Sequence, residues 1–395
     1  MSNHTPGDKK TQHSAKKKKF PAPAAGRRKK KSTKVLRILF VLLFTLAVLL
    51  ALALLALSLW KEPPTVASEG PKLQEKPAQA ESVPVTPSPS AVIDTEKDPF
   101  KPTPAPTPEV QNRNGTVRRE GTYLLLVVGR DRVGLNTDTI MVVMMDTKAR
   151  CINVVSIPRD TLVNVPWAVK KVNSIYANYG LEGLVDGVED LIGLPIDSYV
   201  VVNTQVFQQA VDTIGGVWFE VPINMYYDDP GQDLHIHLNA GYQLLNGYQA
   251  EGVVRFRQNN DGSGYFMGDL DRIETQHAFL RELAEQLLSL GNISNLPALV
   301  DLVIKNTDTN LTSGNIAFYA REFFKMSSGA VRFYTMPNET VNIYGGSYVN
   351  IQINPWLEMI NDYLNPFNVD VTAENLDVLT FYNGTYYSTT GRIAG

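Results

Sequence analysis

Short apolar runs form the clearest pattern in the chain, and almost every position within them is hydrophobic. A strand that is buried on both faces has this pattern, because neither face meets water. The runs therefore predict a sheet that is covered by helices on both sides. Four such runs occur: Thr122–Gly129, Thr139–Asp146, Ile152–Ile157 and Ser198–Asn203.

Segments with helical spacing lie between and after these runs. Leu270–Ser289 is the most regular, since its leucines and one isoleucine recur every three or four positions along one stripe. The alternation of such segments with strands predicts an α/β fold. Five further segments have helical character: Val172–Tyr179, Leu184–Ile192, Gln205–Thr213, residues 294–324 and Pro355–Leu364.

A longer apolar run, Ile38–Trp60, contains 23 residues and no charge. A helix of this length spans about 35 Å, enough to cross a hydrocarbon core of about 30 Å. A cleaved signal peptide is the alternative, but its apolar region is usually only about 7–15 residues long. The run and its flank predict one transmembrane helix over residues 35–60.

Basic residues are concentrated before this run. Residues 1–37 hold 13 of the 37 Lys and Arg residues but one of the 40 acidic residues, which leaves the remainder with a formal charge of −15. The positive-inside rule places residues 1–34 in the cytoplasm as a basic tail, and the rest outside the cell. Nucleic-acid binding is the alternative for the tail. Because the tail has no apolar periodicity, we expect a topology signal that touches anionic lipid, and no nucleic-acid partner.

Residues 61–118 hold 12 of the 24 prolines, with Ala, Glu, Ser and Thr filling most other positions. Such a composition cannot bury a core, so it predicts a disordered linker. The remainder is predicted to comprise a domain at 119–345 and a C-terminal extension at 346–395 that packs on the domain or trails it.

The sequence lacks several common catalytic and metal-binding motifs. The single cysteine, Cys151, excludes an intramolecular disulfide and a Cys-rich zinc site, and no standard nucleophile motif occurs. Asp131 and Asp138 lie on one loop between the first two strands. Two carboxylates on a loop can share a hard cation such as Mg²⁺. Ordinary turn chemistry is the alternative explanation.

Two arginine motifs suggest an anion site. Arg159 and Asp160 follow a strand, at the end where open α/β sheets bind ligands; a surface ion pair is the alternative. We expect Val254–Arg257 to be a strand, whose period of two puts Arg255 and Arg257 on one face. Like charges on one face repel unless an anion lies between them, and arginine forks suit phosphate oxygens. A solvated edge strand is the alternative.

Two further pairs share a face. Arg272 and Gln276 lie opposite the leucine stripe of their helix, where they can reach the same site as the arginine pair. His235 and His237 alternate with apolar residues, so an exposed strand face explains them better than a metal site does.

Eight motifs in order give the chain a resemblance to the LytR-CpsA-Psr family over about residues 120–290. The motifs are Leu-Leu-Val-Val-Gly-x-Asp131, Thr-Asp138-Thr-Ile-Met, Ser-Ile-Pro-Arg159-Asp160-Thr, Lys171-Val-Asn-Ser-Ile-Tyr-Ala, Pro195-Ile-Asp-Ser-Tyr-Val-Val-Val-Asn203, Val211-Asp-Thr-Ile-Gly-Gly-Val217, Gly241-x-x-Leu-Leu-Asn-Gly247, and Val254-Arg-Phe-Arg257 with Asp269-x-x-Arg272.

The resemblance implies an extracellular phosphotransferase of the Gram-positive cell envelope. Such enzymes transfer a glycopolymer, for example wall teichoic acid or capsule, from an undecaprenyl-pyrophosphate carrier to peptidoglycan. The implied fold is an α/β/α sandwich with a central mixed sheet and an apolar pocket for the lipid chain. One transmembrane helix and a disordered tether precede the domain in the family's usual layout.

The resemblance also assigns roles by position. Asp131 and Asp138 match the aspartates that bind the metal, Mg²⁺ or Mn²⁺. Asp160 is a candidate general base by proximity only. The arginines that match pyrophosphate-binding positions, and the polar residue beside them, are Arg159, Arg255, Arg257, Arg272 and Gln276.

Two positions depart from the pattern. The family often has arginine where this chain has Asn136 and Thr275. Two missing positive charges weaken pyrophosphate binding, unless Arg130 or Arg132 compensates. A polyprenyl-pyrophosphate or glycan binding protein with little turnover is therefore an alternative. A membrane-bound transcriptional regulator is a third, which the absence of a helix-turn-helix pattern in the basic tail disfavours.

Overall fold

The computed structural model describes residues 62–72, 74, 116–130, 137–231, 233–265, 269–289, 294–343 and 345–394. Within these ranges, every helix is too short or too polar to reach across a bilayer. The basic tail at 1–34 and the predicted transmembrane span at 35–60 lie outside them.

The described residues alternate between strands and helices. The strands are β1 (Thr122–Arg130), β2 (Thr137–Asp146), β3 (Cys151–Ile157), β4 (Ser198–Asn203), β5 (Val217–Val221), β6 (Met225–Asp229), β7 (Leu234–Leu238), β8 (Gly241–Leu245), β9 (Asp308–Thr309), β10 (Val331–Thr335), β11 (Asn338–Ile343), β12 (Gly346–Ile351), β13 (Leu379–Tyr382) and β14 (Thr385–Ser388). The helices are α1 (Asn173–Ile192), α2 (Thr204–Thr213), α3 (Gly247–Arg255), α4 (Asp269–Leu288), α5 (Leu296–Asn306), α6 (Ser313–Phe323) and α7 (Ile353–Met359), which a π-helical turn (Ile360–Leu364) continues.

Six strands form one sheet in the order β10-β3-β2-β1-β4-β9. β1 runs parallel to β4, and β3 runs parallel to β10, while the other neighbours are antiparallel. The sheet is therefore mixed, as predicted. Its four middle strands are the four apolar runs of the sequence, with nearly the same bounds.

Burial on both faces explains why these runs are apolar throughout. Leu124, Leu126 and Val128 of β1 pack into a core shared with α1 and α7. The alternate side chains Tyr123 and Leu125 pack into a second core shared with α6. Helices thus cover both faces of the sheet, which confirms the predicted α/β fold with a central mixed sheet.

A third core lies beneath two small antiparallel sheets of two strands each, β5–β8 and β6–β7. Phe219 of β5 packs edge-on against Phe279 of α4, with ring centroids 5.4 Å apart. α2 and α3 approach closely here. A Cβ atom on Gly247 would lie only 2.2 Å from the carbonyl oxygen of Gln208. Residue 247 therefore has no room for a side chain, and α2 packs directly against the start of α3.

The prediction that Val254–Arg257 is a strand is wrong. The Asn246 side chain and Gln249 form a reciprocal capping box, and α3 runs from there to Arg255. Phe256 ends the helix in an extended conformation and is buried. The alternation of charged and aromatic residues thus marks a helix end followed by one extended residue.

The helical predictions hold elsewhere, with two interruptions. Gly180 has a φ of +69° inside α1, at the gap between the two predicted segments 172–179 and 184–192. Residues 294–324, predicted as helical, form α5 and α6 with the short strand β9 between them.

The predicted boundary between residues 345 and 346 falls inside a hairpin, because β11 pairs with β12. Trp356 of α7 is fully buried, and its Nε1 donates a hydrogen bond to the Leu191 carbonyl at 2.8 Å. Ile360 and Leu364 join the same core as α1. The C-terminal segment is therefore an integral part of the domain.

Part of the predicted linker packs on the domain. The amide of Lys72 donates to the Gly193 carbonyl at 3.1 Å, and the amide of Ala67 donates to Asp197 at 2.9 Å. Arg118, at the end of the linker, forms an ion pair with Asp197, whose side chain is fully buried. Linker residues on both sides of the stretch 75–115 thus contact the domain, although the domain was predicted to start only at residue 119.

The Arg118–Asp197 pair generates a stability prediction. Arg118→Met leaves the Asp197 charge buried without its main partner, so we expect the free energy of unfolding to fall by about 3–5 kcal/mol. Lys148→Met is the matched control, since Lys148 pairs with Glu120 at 3.3 Å on the surface and such pairs contribute about 0–1 kcal/mol. Urea unfolding of the purified protein measures both losses, and equal losses contradict the prediction.

Candidate functional site

A cavity of about 520 Å³ opens at the end of β1, the start of β2 and the end of β4, between the sheet and helices α2, α3 and α4. Its described lining has two chemical characters. The charged and amide-bearing lining residues are Arg130, Asp138, Arg159, Glu251, Arg255, Arg257, Arg272 and Gln276. The apolar walls include Val127, Met141, Val202, Phe207, Val254 and Leu280.

Six of the eight predicted site residues line this cavity. Of the other two, Asp131 lies outside the described residues, and Asp160 is not among the described residues of the lining. The six in the lining are Asp138, Arg159, Arg255, Arg257, Arg272 and Gln276.

Asp138 reaches the cavity through an irregularity in β2. Gly129 pairs with Thr139 and Arg130 pairs with Thr137, so Asp138 is an extra residue in the ladder. Such bulges redirect a side chain out of the regular alternation. The Oδ1 atom of Asp138 accepts a hydrogen bond from Arg159 Nη1 at 2.6 Å. This ion pair links the start of β2 to the turn that follows β3.

Arg255 is held by a chain of polar contacts on α3. Its Nη1 atom donates to Glu251 Oε1 at 2.8 Å, one helical turn earlier. The other oxygen of Glu251 accepts from Gln208 of α2. Because the Glu251 side chain is 4% exposed, this carboxylate is fixed in the wall and orients the Arg255 guanidinium.

Arg272 and Gln276 enter the cavity from α4. Gln276 Nε2 donates to the Val254 carbonyl at 2.7 Å, which satisfies an acceptor at the end of α3 that has no partner within its own helix. Gln276 therefore joins α4 to the helix end that carries Arg255. Arg272 is buried in the same wall, whereas Arg257 is exposed at the rim.

Asp160 faces a different group. Its Oδ1 atom lies 3.0 Å from Lys171 Nζ, and the Lys171 ammonium lies 4.8 Å from the centre of the Tyr348 ring. The carboxylate of Asp160 is thus paired with Lys171. The role of Asp160 as a general base stays a prediction.

Thr275 occupies one of the two positions that depart from the family pattern. It is buried, and its hydroxyl hydrogen-bonds with the Tyr265 hydroxyl at 2.8 Å. Thr275 is not among the described residues that line the cavity, and its hydroxyl joins α4 to Tyr265. The second such position, Asn136, lies outside the described residues.

Sequence reasoning missed Glu251 as a site residue, and it named Arg130 only as a charge that could compensate for Asn136 and Thr275. Glu251 lies four residues before Arg255, a spacing that places two side chains on one helix face. The signal was hidden because residues 254–257 were assigned to a strand. Arg130 ends an apolar strand, and no residue spaced on the same face as Arg130 indicates a shared site.

A buried histidine lies on one of the helices that line the cavity. His277 follows Gln276 on α4, and its Nε2 atom hydrogen-bonds with the Ser156 hydroxyl of β3 at 2.7 Å, with both side chains buried. Burial, reinforced by the positive charge of Arg281, lowers the pKa of His277 to about 4. This neutral contact ties α4 to the strand that precedes Arg159.

The two exposed histidines behave as the strand pattern predicted. His235 and His237 face outward from β7, and they hydrogen-bond with opposite oxygens of Asp228 at 2.5 and 2.9 Å. Within the described ranges, no group of three or more His, Cys, Asp or Glu side chains is arranged to hold a metal ion. The described cavity offers Asp138 as a carboxylate ligand beside Arg159.

Comparison with known proteins defines the class. The model of the LytR_cpsA_psr family matches residues 92–364. The chain belongs to that family.

Curated relatives match parts of the chain. The chain is 31% identical to the cell wall biosynthesis protein LcpA of Corynebacterium glutamicum, over 61% of this chain and 51% of LcpA. It is 28% identical to the polyisoprenyl-teichoic acid–peptidoglycan teichoic acid transferase TagV of Bacillus subtilis, over 44% of this chain and 45% of TagV. The chain thus spans about half the length of these relatives.

Solved structures share the fold. The crystal structure of B. subtilis TagV aligns with a TM-score of 0.51 and 22% identity, over 61% of this chain and 95% of the chain in that structure. A structure of TagT bound to LIIa-WTA aligns with a TM-score of 0.51 and 21% identity, over 63% of this chain and 92% of the chain in that structure. These similarities support the α/β architecture with a central mixed sheet.

The buried histidine generates a pH prediction. The pKa of His277 is about 4 in the folded protein and about 6.5 in an unfolded chain. The unfolded state therefore binds the extra proton first as the pH falls from about 6.5 toward 4, and stability decreases by at most about 1.4 kcal/mol per pH unit.

Urea unfolding across this pH window measures the slope. We expect His277→Gln to flatten it, because the titrating group is gone. Ser156→Ala removes the hydrogen bond but keeps the imidazole buried, so the slope should persist. An unchanged slope in His277→Gln contradicts the prediction.

Proposed function

We propose that this protein is an envelope transferase that moves a glycopolymer from a polyprenyl-pyrophosphate carrier, such as undecaprenyl pyrophosphate, to peptidoglycan. The observation that carries the proposal is the mixed lining of the cavity, in which several arginines and several apolar side chains surround one space. A lipid pyrophosphate has the same two parts. The relatives named for cell wall biosynthesis and teichoic acid transfer support the same assignment.

The arginines match the chemistry of a diphosphate. A guanidinium donates two parallel hydrogen bonds to phosphate oxygens, so several around one cavity can hold a diphosphate in a fixed orientation. The body outside the basic N-terminal segment carries a formal charge of −15, which repels a pyrophosphate on average. A local cluster of positive charge is therefore needed to bind the substrate.

The proposed reaction is a phosphoryl transfer. A hydroxyl oxygen of peptidoglycan bonds to the phosphorus that carries the glycan, and the bond from that phosphorus to the bridging oxygen breaks. The polyprenyl phosphate leaves, and the hydroxyl proton passes to a base. Arg159, Arg255 and Arg272 would orient the diphosphate and stabilise the charge that develops on its oxygens.

The apolar walls would receive part of the lipid. Phe207, Met141 and Leu280 lie on three different elements around the same space. A volume of about 520 Å³ is within the usual range for ligand pockets of about 300–1,000 Å³. Burial of the first isoprene units would place the diphosphate against the arginines.

We also propose a role for Mg²⁺ or Mn²⁺ at Asp138. Mg²⁺ commonly takes one or two protein carboxylates and fills its remaining positions with water and substrate phosphate oxygens. Asp138 fits this pattern, because its carboxylate is 34% exposed within the lining of the cavity. Asp131 is the proposed second ligand. When bound, the ion would neutralise charge on the diphosphate.

The proposed location follows the charge rule. Residues 1–34 would lie in the cytoplasm, residues 35–60 would cross the cell membrane once, and the domain would lie outside, where peptidoglycan is. A polyprenyl-pyrophosphate or glycan binding protein with little turnover is the second candidate, favoured by Asn136 and Thr275 in place of arginines.

Loss of one cavity arginine tests the transfer proposal. We expect Arg159→Ala to lower transfer from a synthetic polyprenyl-pyrophosphate glycan to peptidoglycan oligomers by roughly 100-fold or more, because a donor to the developing charge is lost. Its melting temperature should change by only a few degrees, since Asp138 stays partly solvated. Arg255 is less suitable, because its removal leaves Glu251 buried without that partner.

Arg281→Ala is the matched control. Arg281 lies on α4 but packs on the Phe333 ring at 5.8 Å, and it is exposed. Its activity should equal that of the wild type. Tight lipid binding by the wild type without any product would favour the binding-protein alternative.

Metal dependence gives a separate prediction. Chelation should stop transfer, and added Mg²⁺ or Mn²⁺ should restore it, because the ion neutralises the diphosphate charge. Asp138→Asn should raise the Mg²⁺ concentration required for half-maximal activity. Full turnover in excess chelator would remove Asp138 and the metal from the mechanism.

A further inference from the structure

Arg130 lines the cavity but lies outside the four arginines that match the family pattern. It is the last residue of β1, where its backbone pairs with Thr137 on one side and Asn203 on the other. The register shift that displaces Asp138 occurs at this same point. Arg130 therefore enters the cavity from the sheet, whereas Arg255 and Arg272 enter from helices.

Tyr176 of α1 holds the Arg130 side chain in place. Arg130 Nη1 donates a hydrogen bond to the Tyr176 hydroxyl at 2.9 Å, and the guanidinium carbon lies 4.9 Å from the centre of the same ring. Both contacts leave the positive charge of Arg130 intact. A side chain that is fixed before binding loses less conformational entropy when it meets a ligand.

The positive charge of Arg130 is also less neutralised than the charges of Arg159 and Arg255. Arg159 and Arg255 contact carboxylate oxygens at 2.6 and 2.8 Å. Arg130 approaches Asp308 at 3.7 Å, and that side chain is 69% exposed, so water screens the pair.

Arg130 also has hydrogen-bonding capacity to offer. Its Nε atom is buried and makes no hydrogen bond within the described part of the chain. A buried donor without an acceptor is costly, and a phosphate oxygen is a strong acceptor for a guanidinium.

We propose that Arg130 is a further diphosphate-binding residue of the cavity, and that it supplies positive charge which Asn136 does not. This inference rests on the proposed function, because it assigns Arg130 to the same lipid-pyrophosphate ligand. Arg130, oriented by Tyr176, donates to the diphosphate from the sheet, whereas Arg255 and Arg272 donate from α3 and α4.

Titration calorimetry with geranylgeranyl pyrophosphate tests the assignment on the full chain in detergent with Mg²⁺. We expect Arg130→Met to weaken binding by about tenfold or more, since a charge-assisted hydrogen bond is lost. Arg281→Met is the matched control and should bind like the wild type. If Arg130→Met lacks the wild-type melting transition, Arg130→Gln is used in its place.

The outcomes separate the two proposals. If the wild type binds the probe and the Arg130 variant binds equally well, the role of Arg130 is overturned while the proposed function stands. If the wild type does not bind the probe, both proposals fail. Weak binding by the Arg130 variant, with normal binding by Arg281→Met, supports both.

Discussion

Repulsion between like charges is the constraint on which the cavity depends. Five described arginines surround one space, and carboxylates hold two of them at 2.6 and 2.8 Å. Asp138 reaches its arginine through a bulge in β2. Glu251 reaches its arginine because α3 is capped at Asn246 and packs closely on α2. The electrostatics of the cavity thus depend on the local geometry of both elements.

The sheet and much of the site could be predicted, for physical reasons that lie within short segments. Burial on both faces leaves a continuous apolar run, so β1 to β4 were visible in the sequence. Arg159 was found because ligands bind where strands end. Arg255 and Arg257 were assigned to one site through a strand that does not exist; a helix end brings them to the same cavity. Glu251 could not be found without that helix.

The segments rich in Pro, Asn and Tyr were harder to predict, because their order comes from asparagine side chains that bond to irregular backbone, both nearby and distant in sequence. Asn365 Nδ2 donates to the Val369 carbonyl at 2.7 Å, and Asn361 Oδ1 accepts from the Val371 amide at 2.8 Å. Asn375 Nδ2 donates to the Lys72 carbonyl at 2.7 Å. Asparagine side chains thus satisfy irregular backbone that has no periodic pattern, and they join the C-terminal segment to part of the predicted linker.

In the proposed function, one cavity holds both the diphosphate and the first isoprene units of a lipid pyrophosphate. A crystal structure of the protein with a short polyprenyl pyrophosphate is the direct test. We predict density for the diphosphate within hydrogen-bonding distance of Arg159, Arg255 and Arg272, with the isoprene chain between Met141, Phe207 and Leu280. A diphosphate bound elsewhere on the domain, or an isoprene chain outside these apolar walls, would contradict the account.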